Sequence, residues 1–220
     1  KWTLVGRWIA AGVAICGLAL LWPAGSAPLE SAGSTELDKV LPAYDRAERH
    51  EIRLHASCEE ARRAAEEVAF TDIRGLGVLL SLRSGTRVKM QPRPLLATMT
   101  GPSGAFSKLA STDREFVAGN AGRPWAAERA HHHFNSAEEY RAFNQPGYAK
   151  IAFNFRYGPS GSSACMVSSE TRILATDASA RTKFTRYWKV VYPGSALIRV
   201  LWFDAVERRL LSNSNTPSTT

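Results

Sequence analysis

The sequence predicts an α+β domain in which a curved antiparallel sheet is crossed by one long C-terminal helix. Three observations in the last third of the chain carry this. From Ala149 to Tyr157, Ile151, Phe153, Phe155 and Tyr157 alternate with Lys150, Ala152, Asn154 and Arg156, a period of two that puts the aromatics on one face of a strand. After the turn Gly158–Pro159–Ser160–Gly161, the stretch Ala164 to Ile173 repeats the pattern, with Val167, Thr171 and Ile173 against Met166, Ser168, Glu170 and Arg172. From Thr176 to Leu211 the apolar spacing changes to three and four: Phe184, Tyr187, Trp188 and Val191, then Ile198, Leu201, Trp202, Ala205 and Val206. Pro193–Gly194 is expected to kink this helix, leaving its first half over the aromatic strand.

The preceding elements follow in order. Ile52 and Leu54 alternate with Glu51, Arg53 and His55, a strand within Tyr44 to His55. Ser57 and Glu60 form a capping box that opens a helix over Cys58 to Val68. A shorter apolar helix runs from Gly75 to Leu82. Pro92, Pro94 and Pro102 make Arg87 to Gly104 an irregular connection. Phe106 to Ser111 and Arg114 to Gly119 read as strands joined around Thr112–Asp113, and a third is expected from Trp125 to Phe134. Ser136 and Glu139 form a second capping box, for a short helix over Ala137 to Phe143. The tail, 212–220, is compositionally disordered.

With 220 residues and 45% apolar content, the chain can bury the core of one domain and carry appendages. Residues 1–22 are such an appendage: Lys1 and Arg7 precede an uncharged run from Trp8 to Trp22. Its fifteen residues fall between a signal-peptide core and a bilayer span. Ala24–Gly25–Ser26 offers small residues for cleavage, whereas Trp8 and Trp22 bracket the run as interfacial aromatics do. The readings are thus a signal anchor or a signal peptide, followed by a linker over 23–43 and a domain over 44–211. The flanking charges orient the domain outside the cytoplasm, membrane-anchored or else secreted or periplasmic. Cys58 and Cys165 are the only pair open to a disulfide beyond that segment, and are expected as two buried free thiols.

The net charge of +8 is spread along the chain, with Arg62–Arg63 and Arg208–Arg209 the only adjacent basic pairs. No nucleic-acid partner is expected: the strand over 150–157 has alternating aromatics but lacks the glycines of a base-stacking motif. An anionic lipid surface fits the charge better.

The stretch Pro146–Gly147–Tyr148–Ala149–Lys150 through Asn154–Phe155–Arg156, with Glu170–Thr171–Arg172, Ala175–Thr176–Asp177, Arg186–Tyr187–Trp188 and Pro193–Gly194–Ser195, resembles an uncharacterised bacterial group within the START-like (SRPBCC, helix-grip) superfamily. The superfamily includes lipid-transfer domains and aromatic polyketide cyclases. The resemblance implies the helix-grip fold and a hydrophobic cavity between helix and sheet. It carries over no catalytic residue.

Side chains that could carry chemistry are few. His131 and His133 share a strand face, a geometry for two metal ligands with Glu128 or Glu170, but no third ligand stands at a telling distance. No metal or cofactor is therefore expected, and the two histidines are placed at a polar rim. Glu170 and Arg172, with Arg156 and Lys150, fall opposite the aromatics and are expected as cross-strand ion pairs on the outer surface. The expected ligand contacts are Phe153, Phe155, Tyr157, Val167, Tyr187, Trp188 and Val191. Binding of an apolar small molecule or lipid is the leading reading. A cyclase or dehydratase using an acid–base pair from His131, His133 and Glu170 is the second, and a ligand-free interaction module the third.

Overall fold

A computed structural model describes residues 29–30, 34–126 and 131–214. The elements are β1 (Leu29–Glu30), α1 (Glu36–Val40), β2 (Ala43–Tyr44), β3 (Arg46–Leu54), α2 (Cys58–Glu67), a 3₁₀ turn (Phe70–Asp72), α3 (Leu76–Ser84), α4 (Leu95–Thr100), β4 (Ser107–Ser111), β5 (Glu115–Gly122), β6 (His131–His132), α5 (Ala137–Ala142), β7 (Ala149–Pro159), β8 (Cys165–Ala175) and α6 (Ala178–Ser214). The main sheet is antiparallel, in the order β3-β8-β7-β5-β4, with β6 paired to the end of β5. A long C-terminal helix against a six-stranded antiparallel sheet is the helix-grip layout.

Alternation sorts the sheet residues onto two faces. The inner face, toward α6, carries Phe153, Phe155, Tyr157 and Val167 in one core with Leu54, Trp202, Phe203 and the buried alanines of α2. Ser57 and Glu60 cap α2 reciprocally, and Ala61, Ala64 and Ala65 let it lie close to the sheet. The outer face is also covered. Leu37, Val40 and Leu41 pack with Val117, Ala121, Ala152, Phe134 and Tyr140, so α1 and α5 form a second layer there.

That second layer corrects several expectations. The segment 34–43, expected as part of a linker, belongs to the domain: Leu37 is fully buried, and Glu115 accepts hydrogen bonds from the Glu36 and Leu37 backbone N–H groups. Arg172 does pair with Glu170 (2.6 Å), but beneath this layer rather than on an open surface; it also pairs with Asp38 at 2.7 Å and is 5% exposed. Lys150 is buried and donates to the Arg141 carbonyl, and Arg156 is exposed. Alternation reports which residues share a face, not whether a later layer covers it.

Three further differences concern the chain path. The proline-rich connection contains α4 and is tied to the 3₁₀ turn through an Ala69–Pro94 bridge. The strand expected over 125–134 is limited, among the described residues, to His131–His132, with 127–130 outside them. Helix α6 starts at Ala178 and continues to Ser214, with Pro193 inside it, past the expected end at Leu211. The expected anchor or signal segment (1–22) lies outside the described residues, as do 215–220 of the tail. Among the described residues no helix is long and apolar enough to cross a membrane.

Cys58 and Cys165 are not free thiols but a disulfide. The register of β3 against β8 pairs Leu54 with Cys165, and the chain re-enters α2 four residues after Leu54. This brings Cys58 over Cys165, with a Cα separation of 5.0 Å.

Candidate functional site

Helix α6 is anchored to the sheet at its two ends. Ala180 and Phe184 are buried at the first, where Phe184 joins Ala149 and Ile173. Trp202, Phe203, Ala205 and Val206 are buried at the second, where the Trp202 and Phe155 rings lie 4.6 Å apart. Between these anchors, from Thr185 to Leu201, no residue is buried. Phe184 and Trp202 are about 27 Å apart along a helix rising 1.5 Å per residue. This stretch is only partly buried: Tyr187 and Trp188 pack beside Phe184, and Ile198 and Leu201 pack on the main core, while each keeps accessible surface.

The floor and the overhang are polar as well as aromatic. Glu48, Thr171 and Phe153 lie side by side across β3, β8 and β7. The Glu48 side chain is 2% exposed; its Oε1 meets His50 Nε2 at 2.6 Å and its Oε2 has no partner. From the helix, Arg199 Nη2 donates to Thr171 Oγ1 at 2.8 Å. The Arg199 guanidinium lies 4.9 Å from the Phe153 ring centroid and within 6 Å of the Phe155 and Trp202 rings. Arg199 is half-buried, and keeps some accessible surface beside these rings. Burial draws its guanidinium down to about 10, and the Glu48 charge opposes that shift. Tyr192, about two helical turns before Arg199, has its phenol pushed up by burial and by the same Glu48 charge.

The expected contacts divide between core and gap. Phe153, Phe155, Tyr157 and Val167 are fully buried and form the floor and core. Tyr187, Trp188 and Val191 are half-buried in the middle of α6, with Tyr187 and Trp188 packed beside Phe184 and Trp188 stacked on it at 5.6 Å. The second half of α6 carries Arg199 and Trp202, so the site is not confined to residues before Pro193. Near the floor, the indole Nε1 of Trp202 and the phenol oxygen of Tyr157 are buried without a partner. Burial raises the Tyr157 phenol.

The expected polar rim does not join this site. His131 and His133 are exposed beside the ends of β5 and β7, and the intervening His132 packs against Phe143 and Tyr148 at 4.9 Å. Glu170 lies on the other face with Arg172 and about 17 Å further along β8 from that end, at 3.3–3.4 Å per residue. The three residues of the acid–base reading are therefore not brought together. Among the described residues no cluster of His, Cys, Asp and Glu could hold a metal. A groove of ≈ 470 Å³ on the outer face between α1, β4 and α5 is walled by Lys39–Glu36 and Arg141–Glu138 pairs, charges that already satisfy one another.

Glu48, His50 and Arg199 lie outside the expected site residues, although the sequence holds a signal for them. Counting back by twos from Leu54 and Ile52 reaches His50 and Glu48 on the buried face, and Trp188, Tyr192, Ser195, Arg199 and Trp202 fall on one helical stripe. Chemically, the Glu48–His50 pair can accept and hold a proton and the Arg199 guanidinium can bind an oxyanion.

The sequence matches no protein-family model and no curated protein. Among solved structures, the chain is similar to TTHA0849 from Thermus thermophilus, at 14% identity and a TM-score of 0.32, over 77% of this chain and 100% of that one. Norcoclaurine synthase of Thalictrum flavum, a point mutant in complex with a transition-state analogue, gives 12% identity and 0.37 over 77% and 96%. A hypothetical protein of Helicobacter pylori gives 7% and 0.34 over 85% and 98%. Likenesses at this level carry no functional argument.

Proposed function

We propose that the domain binds an apolar small molecule or lipid in the gap between the middle of α6 and the inner face of the sheet. The observation that carries this reading is the run from Thr185 to Leu201 without a buried residue, held between two well-packed anchors. The half-buried Tyr187, Trp188 and Val191 keep apolar surface that suits an apolar ligand body. The test is native mass spectrometry of the full chain purified from its own host, together with titration of the neutral fluorophore 1-aminoanthracene. A co-purifying mass or a saturable signal is expected, and Ser195→Trp, which fills the gap from the overhanging stripe, should abolish it. No retained mass and no saturable signal would overturn the reading.

A second element of the proposal places the domain outside the cytoplasm and against a membrane. The Cys58–Cys165 disulfide supports an oxidising compartment. From Ile73 to Thr112 the chain has no acidic residue and six basic ones, Arg74, Arg83, Arg87, Lys89, Arg93 and Lys108. Val78 and Leu82 on α3 are exposed at 65% and 76%, so this basic stretch of chain also presents apolar side chains. Vesicles containing phosphatidylglycerol should retain the domain and phosphatidylcholine vesicles should not; equal retention, or none, would remove this element.

A further inference from the structure

The floor of the gap holds two charged groups that the protein leaves incomplete. Arg199 makes one hydrogen bond to protein, to Thr171, and has no carboxylate within ion-pair distance among the described residues. A guanidinium has five donors and stays protonated, so four N–H groups lack a protein acceptor. Glu48, directly across the β3–β8 ladder from Thr171, is the nearest candidate counterion, but it turns one oxygen to His50 and leaves the other without a donor. The rings of Phe153, Phe155 and Trp202 compensate the cation only in part.

The neighbouring charges are engaged within the protein. Arg46, on the same face of β3, is buried and donates to the Asp45 carbonyl. Asp45 is itself engaged by Arg181 and by the Ala175 N–H. Arg199 keeps accessible surface and no nitrogen of its guanidinium is both buried and without a partner, so a monoanion can reach the donors that Thr171 does not take.

We infer that Arg199, positioned by Thr171, is the anchor for a carboxylate at the end of an apolar ligand, so that the natural ligand is an amphipathic acid rather than a neutral lipid. This rests on the binding reading above and specifies which ligands it admits. The apolar body would run from Arg199 along the half-buried side chains toward Trp188. Thr171 is a positioning residue: its hydroxyl holds the guanidinium over Phe153.

The experiment compares decanoate with 1-decanol by calorimetric titration of the full chain. Decanoate should bind about tenfold tighter or more, the gain of a charge-assisted hydrogen bond in an enclosed site. Arg199→Met should remove that preference, bringing the decanoate-to-decanol affinity ratio to about one. Glu48→Gln, which removes the opposing charge without removing the anchor, should raise that ratio several-fold; it carries the test if Arg199→Met does not fold. Equal binding of acid and alcohol, with no response to either variant, would overturn the carboxylate assignment and leave the pocket standing. Binding of neither ligand would overturn the pocket and the assignment together.

Discussion

Cys58, the first residue of α2, is bonded to Cys165, the first residue of β8, and the two stand 107 positions apart in the chain. The bond ties the helix that covers the inner face to the strand that supplies Thr171 to the gap. Closing so long a loop restricts the unfolded chain, an effect on the order of 2–5 kcal/mol. Reduction should therefore lower the urea midpoint, and the double substitution Cys58→Ala with Cys165→Ala should lower it equally and abolish the response to reductant. A midpoint indifferent to reductant in the unaltered chain would exclude the bond as a stabilising element.

Glu115 organises the outer layer. Its Oε1 accepts from the Leu37 N–H and from Asn154 Nδ2, and its Oε2 accepts from the Glu36 N–H. The two backbone groups are first-turn donors of α1, with no intrahelical acceptor. Glu115→Ala leaves two buried donors and one part-buried donor without this acceptor and should cost about 3 kcal/mol, given 1.5–3 kcal/mol for a hydrogen bond to a charged group. Hydrogen exchange should localise the loss: amides of Glu36 and Leu37 exchange faster while those of β8 keep their order. Uniform acceleration across the domain would contradict a local clamp.

What could be read in the sequence follows from how local each cause is. The aromatic face of β7 and the capping box at Ser57 are set by residues within a few positions and appear as read; Ser136 caps its helix, but Glu139 reaches back to the Asn135 N–H, so the expected second box is half formed. Alternation alone puts Arg172 on an outer surface, because its burial depends on Leu41 and Asp38, more than 130 positions away in the chain. The disulfide depends on the β3–β8 register, which no spacing between Cys58 and Cys165 encodes. Arg199 and Glu48 escape a sequence reading because a polar residue on an apolar stripe is conventionally assigned to solvent. On this fold the stripe faces the inner side of the sheet.

Gly119 marks where the outer layer comes closest to the sheet. A Cβ at this position would lie 2.7 Å from Leu109 Cδ1, 3.1 Å from Tyr140 Cε2 and 3.2 Å from the Ile151 carbonyl oxygen. Gly119→Ala should therefore destabilise by about 1–3 kcal/mol through overpacking. Adding Leu109→Ala, which removes the nearest obstacle, should make the combined cost smaller than the sum of the two single ones. Strict additivity would mean that Leu109 is not the obstacle.

Lys150 makes the outer layer sensitive to pH. It is 5% exposed, donates to the Arg141 carbonyl at 2.9 Å, lies 4.9 Å from the Tyr140 ring centroid, and has no carboxylate in ion-pair distance among the described residues. Burial draws its ammonium from 10.5 down to about 8. Below pH 8 both folded and unfolded chains carry the charge, and the folded one bears the full penalty. Between about 8 and 10.5 the folded chain releases a proton that the unfolded chain keeps, so stability rises with pH through this window. The buried phenols of Tyr140 and Tyr157 act oppositely, being raised by burial, but only above about pH 10, where unfolded tyrosines ionise. Urea unfolding between about pH 7.5 and 9.5 should therefore show stability climbing in the unaltered chain and a flatter profile in Lys150→Met. The variant should gain up to about 3 kcal/mol at pH 7, at 1.36 kcal/mol per unit of pKa displacement. Parallel profiles for the two proteins would show that Lys150 keeps its charge in the folded state at no cost.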